Sequence, residues 1–303
     1  MTVVVKIGGA RAVDPAGALS DVATLTEQRD VAVVHGGSTK VDETLERMGI
    51  EPEYVETPGG VVGRFTDEAT MEVFEMAFGH LNTRLVAGLQ SQGVDAVGLN
   101  GVDGKLLAGP RKSAVRVVED GKRKIKRGDH SGRIEEVNTD LLETLLNSGY
   151  TPAATVPMLG DYEGEWVPVN ADADRAAAAI AGALDATLVL LTDVPGVLED
   201  PDDESTLFES VTTPTELEAV EDAAEGFMTR KVMAATEALE SGAEEVVVAD
   251  ANLGDPAIEA LGGGGTHIEP GAVGIEPEDG AEVGTSGDET TSEENNDAAE
   301  GSP

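Results

Sequence analysis

The sequence predicts an α/β fold in which helices cover both faces of a mainly parallel β-sheet, and three observations support this class. Apolar, β-branched runs of strand length recur six times along the chain. These runs are continuous rather than alternating, which is typical of strands buried on both faces. Helical patterns separate the runs, as expected when parallel strands are joined by helical crossovers.

The predicted elements alternate over about the first 250 residues. The strand-like runs cover residues 3–7, 31–35, 96–99, 152–156, 187–192 and 245–249. The helical patterns cover residues 15–27, 39–48, 67–89, 139–146, 174–184 and 231–241. The longest helix carries an apolar stripe that is expected to pack in the core or in a homodimer interface, formed by Met71, Phe74, Phe78 and Leu81.

One segment interrupts this alternation. Residues 115–118 and 122–126 have strand character, and a turn that contains Asp120 and Gly121 separates them, which predicts an inserted β-hairpin. Ten of the chain's 20 lysines and arginines lie between Lys105 and Arg133. The inserted hairpin is therefore strongly basic.

The composition limits the classes of function. The chain has no cysteine, which excludes disulfides and thiolate metal sites and favours a cytoplasmic location. No signal peptide and no apolar run of membrane-spanning length is recognisable, so a membrane role is not expected. The net charge of -39 would repel nucleic acid, and 59 acidic residues with few aromatics resemble halophilic proteins.

The last segment differs from the rest of the chain. Residues 276–303 contain ten acidic and no basic residues among Gly, Ser, Thr, Asn and Pro. This composition predicts a disordered tail. Its plain interpretation is a solvated extension, and the alternative is an interaction arm.

Glycine pairs follow the first two predicted strands. Gly8 and Gly9 come after Lys6 and Ile7, while Gly36 and Gly37 precede a predicted helix. Backbone N–H groups at such turns can bind a phosphate together with the helix N-terminus. Alternatively, the glycines only supply the positive φ of a strand-to-helix turn. Neither turn has the Walker A pattern.

Two later segments carry polar residues at positions where α/β proteins place ligands. Asn170 and Asp174 stand four residues apart at the entry to an alanine-rich helix, where one of them is alternatively an N-cap. Thr192, Asp193 and Gly196 follow the fifth predicted strand, and ligands bind at the carboxyl ends of strands in open sheets.

The last predicted helix begins with two cations. Arg230 and Lys231 oppose the positive end of the helix macrodipole, which favours anions at that position. This local conflict indicates a bound anion, although an exposed pair of cations is the ordinary alternative.

Taken in order, these segments resemble the amino acid kinase family, especially its acetylglutamate kinases, over roughly residues 2–268. The resemblance implies a three-layer α/β/α sandwich. It implies an amino-acid-binding lobe at 1–169 and an ATP-binding lobe at 170–270, and the acidic tail predicted from composition then takes up 271–303. It also implies ATP as the phosphoryl donor.

The same resemblance assigns roles to individual residues. Lys6 and Lys231 match the two lysines that neutralise the transferring phosphoryl group, and Asp174 matches the aspartate that holds them. The other matches are the phosphate-binding Gly8, Gly9, Gly36 and Gly37, the substrate-binding Arg64 and Asn170, and the nucleotide-loop residues Thr192, Asp193 and Gly196.

A carboxylate acceptor fits this composition. It is already ionised at neutral pH, so its phosphorylation needs cations, N–H donors and alignment but no general base. The four histidines do not cluster, so no protein-held metal site is expected. Mg²⁺ is expected to arrive with ATP, held by phosphate oxygens.

Within the family, the sequence is similar to kinases that act on glutamate or 2-aminoadipate attached to an acidic, LysW-type amino-group carrier protein. The likeness lies in residues 64–67, 71–74, 98–104 and 174–178, and Ser38 stands where many acetylglutamate kinases have a third glycine. Arginine or lysine biosynthesis is implied, and the sequence leaves the choice open. The alternatives are a kinase of free N-acetylglutamate and a non-catalytic amino-acid or nucleotide sensor.

The basic hairpin indicates the same partner independently. An acidic carrier domain would gain steering and complementarity from it. The alternatives are counter-charges for the protein's own acidic surface or an RNA-binding patch. The predicted docking residues are Lys122, Arg123, Lys124, Lys126 and Arg127.

Overall fold

The computed structural model describes residues 1–8, 15–60, 62–119 and 121–275. These residues form fifteen strands: β1 (Val3–Ile7), β2 (Val31–His35), β3 (Tyr54–Glu56), β4 (Val62–Arg64), β5 (Ala96–Asn100), β6 (Leu107–Glu119), β7 (Lys122–Gly132), β8 (Glu136–Val137), β9 (Thr151–Thr155), β10 (Met158–Tyr162), β11 (Glu165–Val169), β12 (Thr187–Thr192), β13 (Ser210–Val211), β14 (Glu245–Asp250) and β15 (Thr266–Ile268). The α-helices are α1 (Pro15–Thr26), α2 (Ser38–Arg47), α3 (Glu68–Ser91), α4 (Thr139–Asn147), α5 (Ala173–Ala183), α6 (Pro214–Ala223), α7 (Phe227–Glu240) and α8 (Pro256–Leu261).

The central sheet has the strand order β13-β15-β14-β12-β1-β2-β9-β5. From β14 to β5 all neighbours are parallel, whereas β15 runs antiparallel to β14. The carboxyl ends of the six parallel strands therefore meet at one edge of the sheet. This edge carries the turns that the sequence singled out.

Helices cover both faces of this sheet. Val4 of β1 belongs to a core cluster with residues of α2, α3, α5 and α7, while its neighbours Val3 and Val5 pack with α1 and α8 on the other face. Because side chains alternate between two buried faces, every residue of β1 and β2 is buried. The predicted three-layer fold with a mainly parallel sheet is confirmed.

The inserted hairpin is also present and is longer than predicted. β6 and β7 pair antiparallel from Glu119 and Lys122 at the tip to Arg111 and Gly132 at the base, and their base joins β8, β10 and β11 in a second sheet. We call β6 and β7 together the arm. The outward-facing residues of both strands are polar, so the full length of the two strands could not be recognised in the sequence. Asp120 in the predicted turn lies outside the described residues.

Several other elements were not predicted from the sequence, or were predicted at other residues. β3, β4, β8, β13 and β15 are too short to show a period. Helix α6 begins with a capping box between Thr213 and Glu216, a signal that was available in the sequence. Helix α7 starts at Phe227, four residues before the predicted start, after Gly226 with φ +57° and without a side-chain cap.

The apolar stripe of α3 lies in the core. Met71, Phe74 and Phe78 are buried, and Leu81 faces Gly37 so closely that a Cβ there would lie 2.4 Å from Leu81 Cδ1. A homodimer would therefore need another surface. In the parts of the chain that are described, no helix combines the length and apolarity needed to cross a membrane.

The described residues continue past residue 270, where the body was predicted to end. A 3₁₀-helix at Pro270–Val273 packs its Ala272 into the core, and the described structure continues to residue 275. Most of the predicted tail, residues 276–303, lies outside the described residues.

Candidate active site

Three charged side chains from distant parts of the sequence meet at the carboxyl edge of the sheet. Lys6 is near the end of β1, Asp174 is in the first turn of α5, and Lys231 is in the first turns of α7. Lys6 Nζ lies 2.5 Å from Asp174 Oδ1, and Lys231 Nζ lies 3.2 Å from Asp174 Oδ2. The residues are only 4%, 9% and 8% exposed, respectively. The structure thus brings together all three residues predicted to be catalytic.

The cluster holds two ammonium groups against one carboxylate. Burial raises the pKa of Asp174, but the charges of Lys6 and Lys231 and their hydrogen bonds outweigh it, so this pKa lies below its ordinary value. Burial and the nearby charge of Lys6 lower the pKa of Lys231, and Asp174 opposes this only in part. One positive charge is left in excess, which suits the site to an anion.

The glycine turns border this cluster. Gly8 directly follows β1, and Gly36 N donates to Ile7 O at 3.2 Å, which ties the two turns together. Gly37 is the N-cap of the ten-residue α2 and provides no side-chain cap, so N–H groups of the first turn stay available. Gly9 lies outside the described residues.

The turn after β12 begins with an exposed residue at the sheet edge and ends in a tightly packed one. Thr192 is buried and donates its hydroxyl to Asp193 Oδ1 at 3.2 Å, and Asp193 is exposed at the sheet edge. Gly196 is buried, and a Cβ there would lie 2.6 Å from Thr266 Oγ1 and 2.7 Å from Leu207 Cδ1. Thr266 Oγ1 accepts the Val197 N–H at 2.9 Å. Close packing by itself explains the glycine at 196.

This contact gives a testable expectation for Gly196→Ala. The added methyl group has no room against the fully buried Thr266, so the variant should lose about 1–3 kcal/mol of unfolding free energy. Urea unfolding without nucleotide measures this, with Gly254→Ala as the control because a Cβ at Gly254 has no heavy atom within 4 Å. Equal stability of both variants would contradict the packing role.

Arg64 is held in a network at the end of β4. Its guanidinium forms an ion pair with Asp42 of α2, donates to Ser38 O and Tyr54 Oη at 3.0 Å each, and lies 5.1 Å from the Tyr54 ring centre. Tyr54 in turn donates its hydroxyl to Asp42 Oδ2 at 2.8 Å. Burial, together with the hydrogen bond to Asp42, raises the pKa of Tyr54, so the phenol stays a donor. Asp42 and Tyr54 were not predicted, and no periodic pattern marks them.

Asn170 follows β11 and is anchored to the base of the arm. Its N–H donates to His130 O at 2.7 Å, its carbonyl accepts from Gly132 N at 2.8 Å, and its Nδ2 donates to Thr66 Oγ1 at 2.9 Å. The N-cap of α5 is neither Asn170 nor Asp174 but Asp172, whose Oδ1 accepts from Asp174 N at 2.9 Å.

Arg230 connects this helix start to the hairpin formed by β3 and β4. Its Nη1 lies 3.5 Å from Asp172 Oδ2, and its Nη2 lies 3.7 Å from the position of a Cβ on Gly63, next to Arg64. Arg230 and Lys231 are thus not two unengaged surface cations, because each contacts a carboxylate at the start of α5.

The predicted docking residues fall on two faces of the arm. Lys124 pairs with Glu119 at 2.7 Å, and Lys126 pairs with Glu53 and lies 4.2 Å from the Phe65 ring centre. Within the described ranges, the remaining predicted residues form no ion pair: Lys122, Arg123 and Arg127.

The histidines do not form a metal site in the described part of the chain. No group of three or more potential ligands from His, Cys, Asp and Glu was found there. His35 is buried, and its Nδ1 lies 3.0 Å from Gly36 O. Burial lowers the pKa of His35, which keeps its ring neutral. His267 Nδ1 lies 2.7 Å from Glu245 Oε1.

Curated relatives share most of this chain. A LysW-aminoadipate kinase from Thermus thermophilus is 43% identical in an alignment of 274 residues that covers 88% of this chain and 99% of that protein. A LysW-aminoadipate/LysW-glutamate kinase from Saccharolobus solfataricus is 35% identical and covers 89% of this chain and 100% of its own length. An acetylglutamate kinase from Methanopyrus kandleri is 43% identical over 81% of this chain and 93% of that protein.

Solved structures show the same fold. N-acetylglutamate synthase from Neisseria gonorrhoeae matches with a TM-score of 0.70 and 25% identity, over 88% of this chain and 59% of the synthase. Carbamate kinase from Giardia lamblia matches with a TM-score of 0.63 and 17% identity, over 88% of this chain and 98% of that one. The sequence profile of the amino acid kinase family covers residues 1–250. The chain therefore belongs to the amino acid kinase family.

Proposed function

We propose that this protein transfers the γ-phosphoryl group of ATP to the side-chain carboxylate of glutamate or 2-aminoadipate attached to an acidic, LysW-type carrier protein. The product is an acyl phosphate. The observation that carries the proposal is the buried cluster of Lys6, Asp174 and Lys231 beside the glycine turns. The names of relatives from Thermus and Saccharolobus support the carrier-linked acceptor.

The reaction needs only charge and alignment from the protein. A carboxylate oxygen of the acceptor attacks the γ-phosphorus, and the bond to the bridging oxygen of ADP breaks, with no proton transferred. Lys6 and Lys231 balance the charge on the moving group, and Asp174 keeps both ammonium groups in place. N–H groups of Gly8 and of the start of α2 are suited to phosphate oxygens, and Gly36 joins these two turns through its bond to Ile7 O.

Mg²⁺ is expected to bind through the nucleotide. The described residues contain no cluster of three or more carboxylate or histidine ligands, so they do not form a protein cage for it. Mg²⁺ commonly retains waters and binds substrate phosphates, and it would supply charge neutralisation there.

Arg64 and Asn170 suit the acceptor. Arg64 remains a charged, planar donor after its bonds to Asp42, Ser38 and Tyr54, and such a group binds a carboxylate with defined geometry. Asn170 Oδ1 has no hydrogen-bond partner among the described residues, so it can accept an amide N–H. A substrate with an acylated amino group offers both a carboxylate and an amide N–H.

The arm suits an acidic carrier on one of its two faces. In the observed register Arg116 lies opposite Ile125, and the neighbouring pairs on this face bring in Arg123 and Arg127. We call these four residues the arginine face. Ile125 is 66% exposed, and the three arginines form no ion pair in the described ranges. The opposite face carries Lys122, which forms no ion pair in the described ranges, together with Lys124 and Lys126, which the chain's own glutamates neutralise.

The acceptor is tested by turnover of two substrates in high salt. We expect efficient phosphorylation of the carrier-linked amino acid and weak phosphorylation of free N-acetylglutamate. The relative from Methanopyrus favours the second candidate, an acetylglutamate kinase. Efficient turnover of the free substrate with none of the carrier-linked one would establish that candidate instead. Turnover of neither substrate would favour a sensor.

Docking is tested by neutralising the arginine face. Arg123→Gln with Arg127→Gln should raise KM for the carrier-linked substrate about tenfold or more and leave KM for ATP unchanged, since steering and complementarity are lost. Added salt should shrink the difference from the wild type. The matched control is Arg29→Gln with Arg84→Gln, which changes the charge equally outside the arm. Equal effects of both double variants would contradict docking at this face.

We also propose the division into an acceptor lobe at 1–169 and an ATP lobe at 170–270, a homodimer and a cytoplasmic location. The division is supported by Lys6 and Lys231, which reach Asp174 from different ends of the chain. The absence of cysteine from the sequence supports the location.

A further inference from the structure

We propose that Asp129, at the base of the arm, is a positioning residue that fixes Arg64 and Asn170 for acceptor binding. The inference rests on the proposed function for its kinetic consequence only. A carboxylate with 1% exposure is unusual, because burial of a charge is unfavourable unless hydrogen bonds compensate it. The surrounding residues show what this carboxylate holds.

An irregularity in the arm turns Asp129 inward. The register between β6 and β7 shifts between Lys112 and Ala114, so that three residues of β7 lie opposite one residue of β6. Gly128 within this bulge has φ +89°, a conformation that favours glycine. Such bulges re-aim side chains and are common near functional sites. Here the bulge directs Asp129 away from solvent in a strand whose other residues are exposed or only partly buried.

Asp129 binds Thr66, which lies two residues after Arg64. Asp129 Oδ1 accepts the Thr66 N–H at 3.3 Å, and Thr66 O accepts the His130 N–H at 2.7 Å. Asp129 Oδ2 accepts from the amide and hydroxyl of Ser131, so both oxygens are used. Thr66 is fully buried. The segment that carries Arg64 is therefore fastened to β7 by its backbone.

Thr66 in turn fixes the side chain of Asn170. Its Oγ1 accepts from Asn170 Nδ2 at 2.9 Å, while the backbone of Asn170 is bonded to His130 and Gly132. Because Nδ2 is bound to Thr66, the planar amide is fixed and its Oδ1 points away from Thr66. Without the contacts of Thr66, the side-chain amide of Asn170 could rotate and the end of the β3–β4 hairpin could move.

Lys126 provides a second tie between the same elements. It pairs with Glu53 just before β3 and stacks on Phe65 just after Arg64. Residues of β7 thus contact positions 53, 65 and 66, which flank the β3–β4 hairpin, and we call this set of contacts the joint. We assign Lys126 to this joint rather than to carrier docking.

The kinetic test uses Asp129→Ala, with Asp129→Asn as the conservative variant. Asp129→Ala leaves Thr66 N–H buried without a partner, and we expect about a tenfold rise in KM for carrier-linked and free acceptors alike. KM for ATP should stay within about twofold of the wild type, since the phosphoryl-binding cluster is untouched. Asp129→Asn keeps an acceptor oxygen for Thr66 and should recover part of the affinity. Asp161→Asn on the neighbouring β10, which is exposed, is the control.

Amide hydrogen exchange tests the joint without any turnover. Asp129→Ala should speed exchange at Thr66 and Asn170, whose N–H groups bond to β7, and leave the N–H groups of β1 and β12 protected. If this variant does not fold, Thr66→Val removes only the Oγ1 acceptor and should raise KM for the acceptor in the same way. The proposal would be overturned if both variants kept the exchange rates and the acceptor KM of the wild type. It would also be overturned if KM rose equally for the acceptor and for ATP. Faster exchange in a protein that phosphorylates no acceptor would retain the joint and reject the proposed function.

Discussion

Lys231→Ala is expected to lower kcat by roughly 100- to 1000-fold while the protein stays folded, because a preorganised charge on the transferring group is lost. The variant leaves the Lys6–Asp174 pair intact at 2.5 Å, so no carboxylate is left buried without a partner. KM for the acceptor should change little, since Arg64 lies outside this cluster. Steady-state kinetics with both substrates varied measures the split.

Asp174→Asn provides the contrasting variant. It leaves two buried ammonium groups without their carboxylate, so we expect a comparable fall in kcat together with a loss of about 3–5 kcal/mol of unfolding free energy. The pKa of Asp174 is below its ordinary value in the folded protein, so its stabilisation is present above that ordinary value and is lost only as pH falls through the lowered one. The stability difference from the wild type should therefore persist through neutral and mildly acidic pH. A Lys231→Ala enzyme with kcat within tenfold of the wild type would contradict the phosphoryl role of the cluster.

Arg64→Ala is expected to raise KM for the acceptor by roughly 100-fold, with KM for ATP unchanged. A hydrogen-bonded, partly buried ion pair with a carboxylate contributes several kcal/mol when one partner is removed, and each 1.4 kcal/mol is a factor of about ten. Arg64→Lys should rescue little, because an ammonium group cannot reproduce the planar, two-pronged donor geometry. Isothermal titration with the acceptor and kinetic KM values for both substrates measure the effect.

The network around Arg64 supplies the control. Asp42→Asn keeps an acceptor oxygen for only one of Arg64 and Tyr54 and removes the charge that holds the guanidinium. It leaves Arg64 itself in place, so it should raise the acceptor KM less than Arg64→Ala does. Arg84→Ala, an exposed arginine of α3, should leave both KM values unchanged. Equal KM increases for acceptor and ATP in Arg64→Ala would place the arginine outside the acceptor site.

Much of the fold could be predicted because the signals are local. Continuous apolar runs place β1, β2 and β12 at the observed residues, since a strand buried on both faces favours apolar side chains at nearly every position. Short or half-exposed strands such as β10 and β15 carry no comparable pattern, so they were missed. The start of α7 was misplaced because no side chain caps it.

The candidate site was predicted only where a motif marks it. Lys6, Asp174 and Lys231 stand in recognisable segments, and their meeting agrees with the resemblance. Asp42, Tyr54 and Asp129 belong to no motif, and their contacts span 12 to 63 residues of sequence. The resemblance that supplied Lys6 or Arg64 offers no signal for such partners.

The amino-acid order alone settled the layer architecture, the basic character of the arm and the family, because each is encoded in periodicity, composition or motifs of neighbouring residues. Only the folded chain decided which charges meet. Lys124 and Lys126 cannot be told from Arg123 and Arg127 in the sequence. Yet Glu119 and Glu53 neutralise the first two, while the other two form no ion pair with any residue that the structure describes. The energy of a charge depends on the partner a few ångströms away, and packing, not sequence distance, chooses that partner.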